Sequence, residues 1–167
     1  RNALVLVCGA ILAPGRRTVA SALRVLGLDD RSDYSKYHRV LSRGRWSPML
    51  MSRLLLSLLV QLFVPVGAVL QVIVDDTLER RRGRRIAYRG WFHDAVRSVG
   101  RKAATSLGIR WLCVSLLVDV PWSERPWALP FLVVPALSER TCQRLRRPHR
   151  STVEWAAVLI ERVQRWQ

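Results

Sequence analysis

A chain of 167 residues with 28 Lys and Arg against 12 Asp and Glu carries a formal charge of +16, nearly all of it arginine. That length admits one domain, or a small helical unit joined to part of a larger one. The charge favours a polyanionic partner without identifying which, because arginine pairs bidentately with phosphate and neutralised phosphates release counterions. Three cysteines (Cys8, Cys113, Cys142) are odd in number and follow no metal-ligand spacing, so they read as free thiols of a reducing cytosol. Cys8 and Cys113 lie in apolar runs and are expected in the core. His38, His93 and His149 are too scattered for a zinc site.

In chain order, residues 3–13 form an apolar segment read as a buried helix, closed by Pro14 and Gly15. Residues 2–14 are uncharged but too short to span a membrane, and they lack a signal-peptide cleavage pattern. Residues 18–28 place Val19, Ala22, Leu23 and Leu26 on one helical face, with Gly27 ending the helix. Asp33 is positioned to cap a helix over 34–41 whose polar side carries Ser35, Lys36, His38, Arg39 and Arg43. Two short helices with a basic second member fit a helix-turn-helix-like DNA contact; a solvated basic face fits equally well. Ser47 and Pro48 open a further helix running to Phe63, expected as the hydrophobic centre of this helical unit.

Residues 54–74 contain no charge and match the length of a transmembrane helix. Pro65-Val66-Gly67 breaks that run, however, and arginines flank it on both sides, which removes the orientation bias of a membrane span. The two halves therefore read as a buried helix and then a buried strand. The β-branched run of that strand ends in Asp75-Asp76-Thr77, followed by Arg80, Arg81, Arg82, Arg84 and Arg85. Two acids closing a strand sit at the rim of a sheet, where oxygen ligands can hold a divalent metal. On an alternating strand they point to opposite faces, so only one reaches the metal easily.

Residues 86–99 show no clean period and read as extended chain or loop. Residues 109–118 form a nearly continuous apolar strand, interior to a sheet. Residues 127–134 form a third strand, with Pro130 implying an edge or a bulge, and the short connection makes the pair an antiparallel hairpin. A basic linker over 140–150 precedes Ser151-Thr152-Val153-Glu154, a capping box that opens a helix with Trp155, Leu159, Ile160, Val163 and Trp166 on one face. The fold class is α+β: a helical unit (1–66), then the first half of a ribonuclease H-like domain (67–167) as three strands and a helix.

The chain resembles bacterial DDE-class insertion-sequence transposases. The resemblance rests on Asp75-Asp76-Thr77 and the basic run after it, Gly90-Trp91-Phe92-His93-Asp94-Ala95-Val96-Arg97-Ser98, Arg110-Trp111-Leu112, Trp127-Ala128-Leu129-Pro130-Phe131, Ser138-Glu139-Arg140 and Glu154-Trp155-Ala156. Upstream, Gly15-Arg16-Arg17-Thr18 and Tyr34-Ser35-Lys36-Tyr37-His38-Arg39 add to it. The resemblance implies that a D-x-T pattern maps the first of three catalytic acids, and a metal ligand, onto Asp75, with Asp76 as the rival. Mg²⁺, or Mn²⁺, would be the cofactor of the complete enzyme. DNA, as transposon ends and target, would be the partner, met by Arg80, Arg81, Arg82, Arg84, Arg85 and Arg89, joined by Arg97, Arg101 and Lys102. Lys36, Arg39 and Arg43 would contribute from the second basic helix.

The second and third acids are expected after the terminal helix. Asp119, Glu139, Glu154 and Glu161 have loop, cap or surface explanations instead. The chain thus reads as a piece of a transposase cut at both ends and inactive alone, from a cytoplasmic, nucleoid-associated protein that dimerises when complete. Two alternatives remain: a non-catalytic nucleic-acid-binding remnant of a mobile element, and a membrane protein with a span at 54–74. Trp91 and Phe92 could stack on a flipped base, but buried packing is the expectation.

Overall fold

The computed structural model describes every residue except Arg31 and Arg101. Its chain divides into two units, Arg1–Ser47 and Pro48–Gln167. In the first, α1 (Asn2–Leu12), α2 (Val19–Val25) and α3 (Ser35–Arg43) gather Leu6, Val19, Ala22, Leu23 and Tyr37 into a small core. The Thr18 side chain caps α2 by accepting the Ser21 amide at 3.1 Å, and Gly27 ends that helix at φ +64°. The N-cap of α3 is Tyr34 rather than Asp33, whose carboxylate pairs with Lys36. Cys8, expected in the core, is exposed, because α1 is apolar on all sides and turns only Leu6 and Gly9 fully inward.

The second unit begins with α4 (Pro48–Phe63). Leu56, Leu59, Val60 and Phe63 recur at helical spacing and pack against a sheet, so α4 belongs to the sheet's core rather than to the helical unit. Beyond Phe63 the chain turns through Pro65–Gly67, with the Ala68 amide donating to the Pro65 carbonyl at 3.1 Å and Gly67 at φ +80°. The uncharged run is thus a helix followed by a strand. Among the described residues no single helix is long and apolar enough to cross a membrane.

The sheet contains β1 (Gln71–Arg80), β2 (Gly90–His93), β3 (Thr105–Val118) and β4 (Trp127–Ala136), all antiparallel. β3 is the centre. β1 runs along one side of it, from Gln71 opposite Leu117 to Arg80 opposite Gly108. On the other side β2 pairs with the first residues of β3 and β4 with the remainder. Pro130, which has no N–H to give the ladder, lies where the β3–β4 register shifts beside Ser115, the bulge that its position implies. Leu112, Val114, Leu116 and Val118 point to one face. Val72 and Val74 of β1, Leu132 and Val134 of β4, Leu56 of α4, and Leu159 and Val163 of α6 (Thr152–Gln164) complete that core. α4 and α6 therefore cover the same face of the sheet.

Three segments differ from the sequence reading. β1 does not stop at the acids but continues to Arg80, because each residue from Asp75 onward finds a ladder partner in β3. Residues 90–93, read as extended chain or loop, form β2, with Gly90 and Phe92 buried and Trp91 and His93 exposed. The basic linker holds a short helix, α5 (Glu139–Arg144), capped by Ser138 and anchored by buried Thr141 and Cys142. The capping box at α6 is formed as expected: the Ser151 hydroxyl accepts the Glu154 amide at 3.2 Å, and the Glu154 carboxylate accepts the Ser151 amide at 2.7 Å. Ser151→Ala is expected to cost about 1 kcal/mol, read as a shift of the denaturant midpoint at unchanged slope.

Candidate functional site

The β1–β3 ladder places Asp75 opposite Cys113 and Asp76 opposite Leu112. Leu112 is a buried core residue, so Asp76 lies on the face covered by α4 and α6, and Asp75 on the other. Their surroundings differ accordingly. Asp76 pairs with Arg110, whose Nε lies 3.2 Å from Oδ2 but off the line of a hydrogen bond. The same guanidinium donates to the His93 carbonyl at 3.2 Å and lies 5.0 Å from the centre of the Phe92 ring. Asp75 is exposed, and its carboxylate accepts the adjacent Asp76 amide at 2.8 Å. None of the ion pairs seen among the described residues involves it.

Further along β1 the chain turns into the arginine loop. Arg80 sends Nε and a terminal nitrogen to the two oxygens of Asp94, at 2.7 and 2.8 Å. The Asp94 side chain is only 2% exposed and also accepts the Arg97 amide. The Arg80 guanidinium, first, holds the Asp94 carboxyl well below the usual carboxylate range. The nearby Ser106 hydroxyl adds to this field without the alignment of a full hydrogen bond. Glu79 is held below its ordinary value by Arg81 and then by the Trp111 indole, which donates to it at 3.0 Å.

The loop itself is braced from within. Arg89 donates to the carbonyls of Arg82 and Gly83 at 2.9 and 2.8 Å. From α5, Arg144 donates to the Ala87 carbonyl, and the Thr141 hydroxyl donates to that of Arg89 at 3.1 Å. Gly90 follows immediately, and a Cβ there would come within 2.4 Å of the Ser138 hydroxyl, so only glycine lets β2 pass the start of α5. Arg80 and Arg89 are thus committed to the fold and Arg81 to Glu79, while Arg82, Arg84 and Arg85 stand exposed.

Among the remaining candidates, Arg39 and Arg43 are exposed on α3, and Lys36 is half-buried beside Asp33. They belong to the first unit, and Arg101 lies outside the described residues. Sequence reasoning missed Asp94 and Arg110 as organising residues. The available signal for Asp94 was a lone acid within an arginine-rich stretch.

Asp75 offers a hard anionic oxygen, which suits Mg²⁺ or Mn²⁺ as one ligand. Among the described residues, no group of three or more His, Cys, Asp or Glu is placed to hold a metal ion, so Asp75 does not constitute a metal site alone.

Comparison with known families bears on this arrangement. The whole chain, residues 1–167, matches the family described as DDE superfamily endonuclease. No curated protein and no solved structure matches it. The α+β order, with the antiparallel β1–β3–β4 sheet leading into α6, fits the ribonuclease H-like arrangement of that family. Such proteins act on DNA as nucleases or transposase-like enzymes and generally use divalent metal ions. With a match that spans its full length and an acid on its first strand, the chain belongs to the DDE superfamily endonucleases.

Proposed function

We propose that the protein is part of an insertion-sequence transposase that cuts and rejoins DNA ends by phosphodiester transfer, with Asp75 as its first catalytic acid. The observation that carries this reading is the ladder register. It turns Asp75 to the face away from α4 and α6, clear of any cation seen among the described residues, and leaves Asp76 to Arg110. A divalent ion bound through Asp75 would supply activation of a water or 3′-hydroxyl and stabilisation of the leaving oxygen. In this reading the second and third acids lie beyond residues 1–167, which alone are expected to leave DNA uncut. Pairing of two element ends calls for a dimer, working in the bacterial cytoplasm at the nucleoid.

The test is strand cleavage of element-end DNA by the protein of the complete reading frame, with Mg²⁺ and with a chelator. Metal-dependent nicking supports the proposal. Uncut DNA with binding retained would instead favour a non-catalytic DNA-binding remnant.

The exposed arginines carry the affinity in this reading. Replacing Arg82, Arg84 and Arg85 together by glutamine is expected to weaken duplex binding. It should also flatten the dependence of log affinity on log salt by roughly 2 to 3, about 0.9 per lost phosphate contact. A slope equal to the parent's would move the DNA contact elsewhere.

A further inference from the structure

β2 alternates sharply, and this separates two aromatic neighbours. Phe92 turns inward, 8% exposed, beneath the Arg110 guanidinium, while Trp91 turns outward and is 62% exposed. The Trp91 ring is also the shared wall of two grooves. One, of about 710 Å³, is lined by exposed Arg140, by Glu139, and by Arg89 and Arg144, which hold loop carbonyls; the second, of about 660 Å³, by exposed Arg82 and Arg97 beside Arg80, which holds Asp94. Singly exposed aromatics are ordinary on a protein surface, and Trp46, Trp122 and Trp127 are exposed too; Trp91 is set apart by its place between two grooves that carry arginines.

What such a surface fits can be read from its chemistry. A planar aromatic face takes a planar π-face, and guanidinium groups on either side take phosphates. An unpaired nucleotide presents both at once, whereas a paired base keeps its face inside the stack. A protein ligand rich in acids would satisfy the arginines but leave the indole without a planar partner. Charge complementarity and the exposed ring together favour single-stranded DNA. The backbone beneath is suited to hold the platform still, because Trp91 pairs with Leu107 of the central strand and the arginine loop beside it is tied down by Arg89 and Arg144.

We propose that Trp91 is a stacking platform for an unpaired base of the DNA, with the exposed Arg82 and Arg97 on one side and Arg140 on the other receiving the phosphates. This deepens the reading above, on which it rests for DNA as the partner, by assigning a binding residue for single-stranded or frayed ends that is distinct from the acid on β1.

The experiment measures binding by fluorescence anisotropy, using the protein of the complete reading frame. The probes are two labelled duplexes of the same sequence, one blunt and one ending in a short single-stranded overhang. The parent binds the overhang about tenfold more tightly than the blunt duplex, the range that one stacked base supplies. Trp91→Ala lowers overhang binding to the blunt value and leaves blunt binding unchanged, whereas Trp91→Phe retains most of the preference. Because the ring is exposed, both variants melt with the parent, which keeps a binding loss from being misread as unfolding.

An equal affinity of the parent for the two probes, or a preference that survives Trp91→Ala, overturns the platform while leaving the arginine contact intact. Absence of binding to either probe overturns both the platform and the DNA reading beneath it.

Discussion

Asp75→Asn is expected to lower metal-dependent strand cleavage by about 10³-fold or more in the protein of the complete reading frame, while Asp76→Asn leaves it within about tenfold. The contrast follows from geometry. Asparagine at position 75 keeps an oxygen that can accept the Asp76 amide, so the local backbone stays as it is, but the negative charge that would hold a divalent ion is gone. The position is exposed, and the change should move stability by no more than about 0.5 kcal/mol. DNA binding through the arginine loop should persist. At position 76 the same replacement weakens a pairing with Arg110 whose acid is 46% exposed, which is of small energetic consequence. The measurement is nicking rate against Mg²⁺ concentration for parent and both variants, with affinity for uncut DNA followed in parallel. Cleavage lost in Asp76→Asn and kept in Asp75→Asn would reverse the assignment and require Arg110 to release its acid.

Much of this arrangement is legible in the amino-acid sequence, and the remainder is hidden there for identifiable reasons. The capping box at Ser151 and Glu154, the proline at the start of α4, the break at Pro65–Gly67 and the bulge at Pro130 are all local chemistry, and local chemistry survives in a sequence. β3 is recognisable because its core face is buried and its other face largely half-buried, which gives the strand a nearly continuous apolar run. β2 is not, because its four residues owe their conformation to the opposing strand rather than to a pattern of their own. The polar half of β1 escapes for the same reason: Asp75 to Arg80 shows no strand propensity, and only pairing with β3 holds it extended. Alternation does show that Asp75 and Asp76 must part. Which of them faces the helices depends on the register with Leu112 and Cys113, a non-local fact. Cys8 shows the opposite error, since an apolar helix reads as a buried one although much of α1 is exposed.

The same non-local logic makes Asp94 the most consequential structural residue near the site. Asp94→Ala is expected to lower the melting temperature of the protein by roughly 5–10 °C, and Asp94→Asn by about half as much. A carboxylate that is 2% exposed holds Arg80 at the end of β1 and the Arg97 amide of the β2–β3 turn, so it ties together the two ends of the arginine-bearing segment. Asparagine can keep the amide contact but cannot receive both nitrogens of the Arg80 fork with full charge. The pH dependence has a definite sign. Asp94 has its folded pKa pulled below the ordinary value of 3.8, chiefly by Arg80, so the ionised pair contributes fully above that value and is lost as the pH falls below it. The gap in melting temperature between parent and Asp94→Asn should therefore be constant from about pH 8 to pH 5 and shrink on further acidification. A gap that widened below pH 4, or none at pH 7, would remove the ion pair from the account. Freed from Asp94, Arg80 no longer anchors the loop that presents Arg82, Arg84 and Arg85. DNA affinity should therefore fall in Asp94→Ala below its melting transition, although the substitution removes a negative charge and adds one more free arginine. Loss of affinity despite that gain in positive charge separates an effect of loop order from one of simple electrostatics.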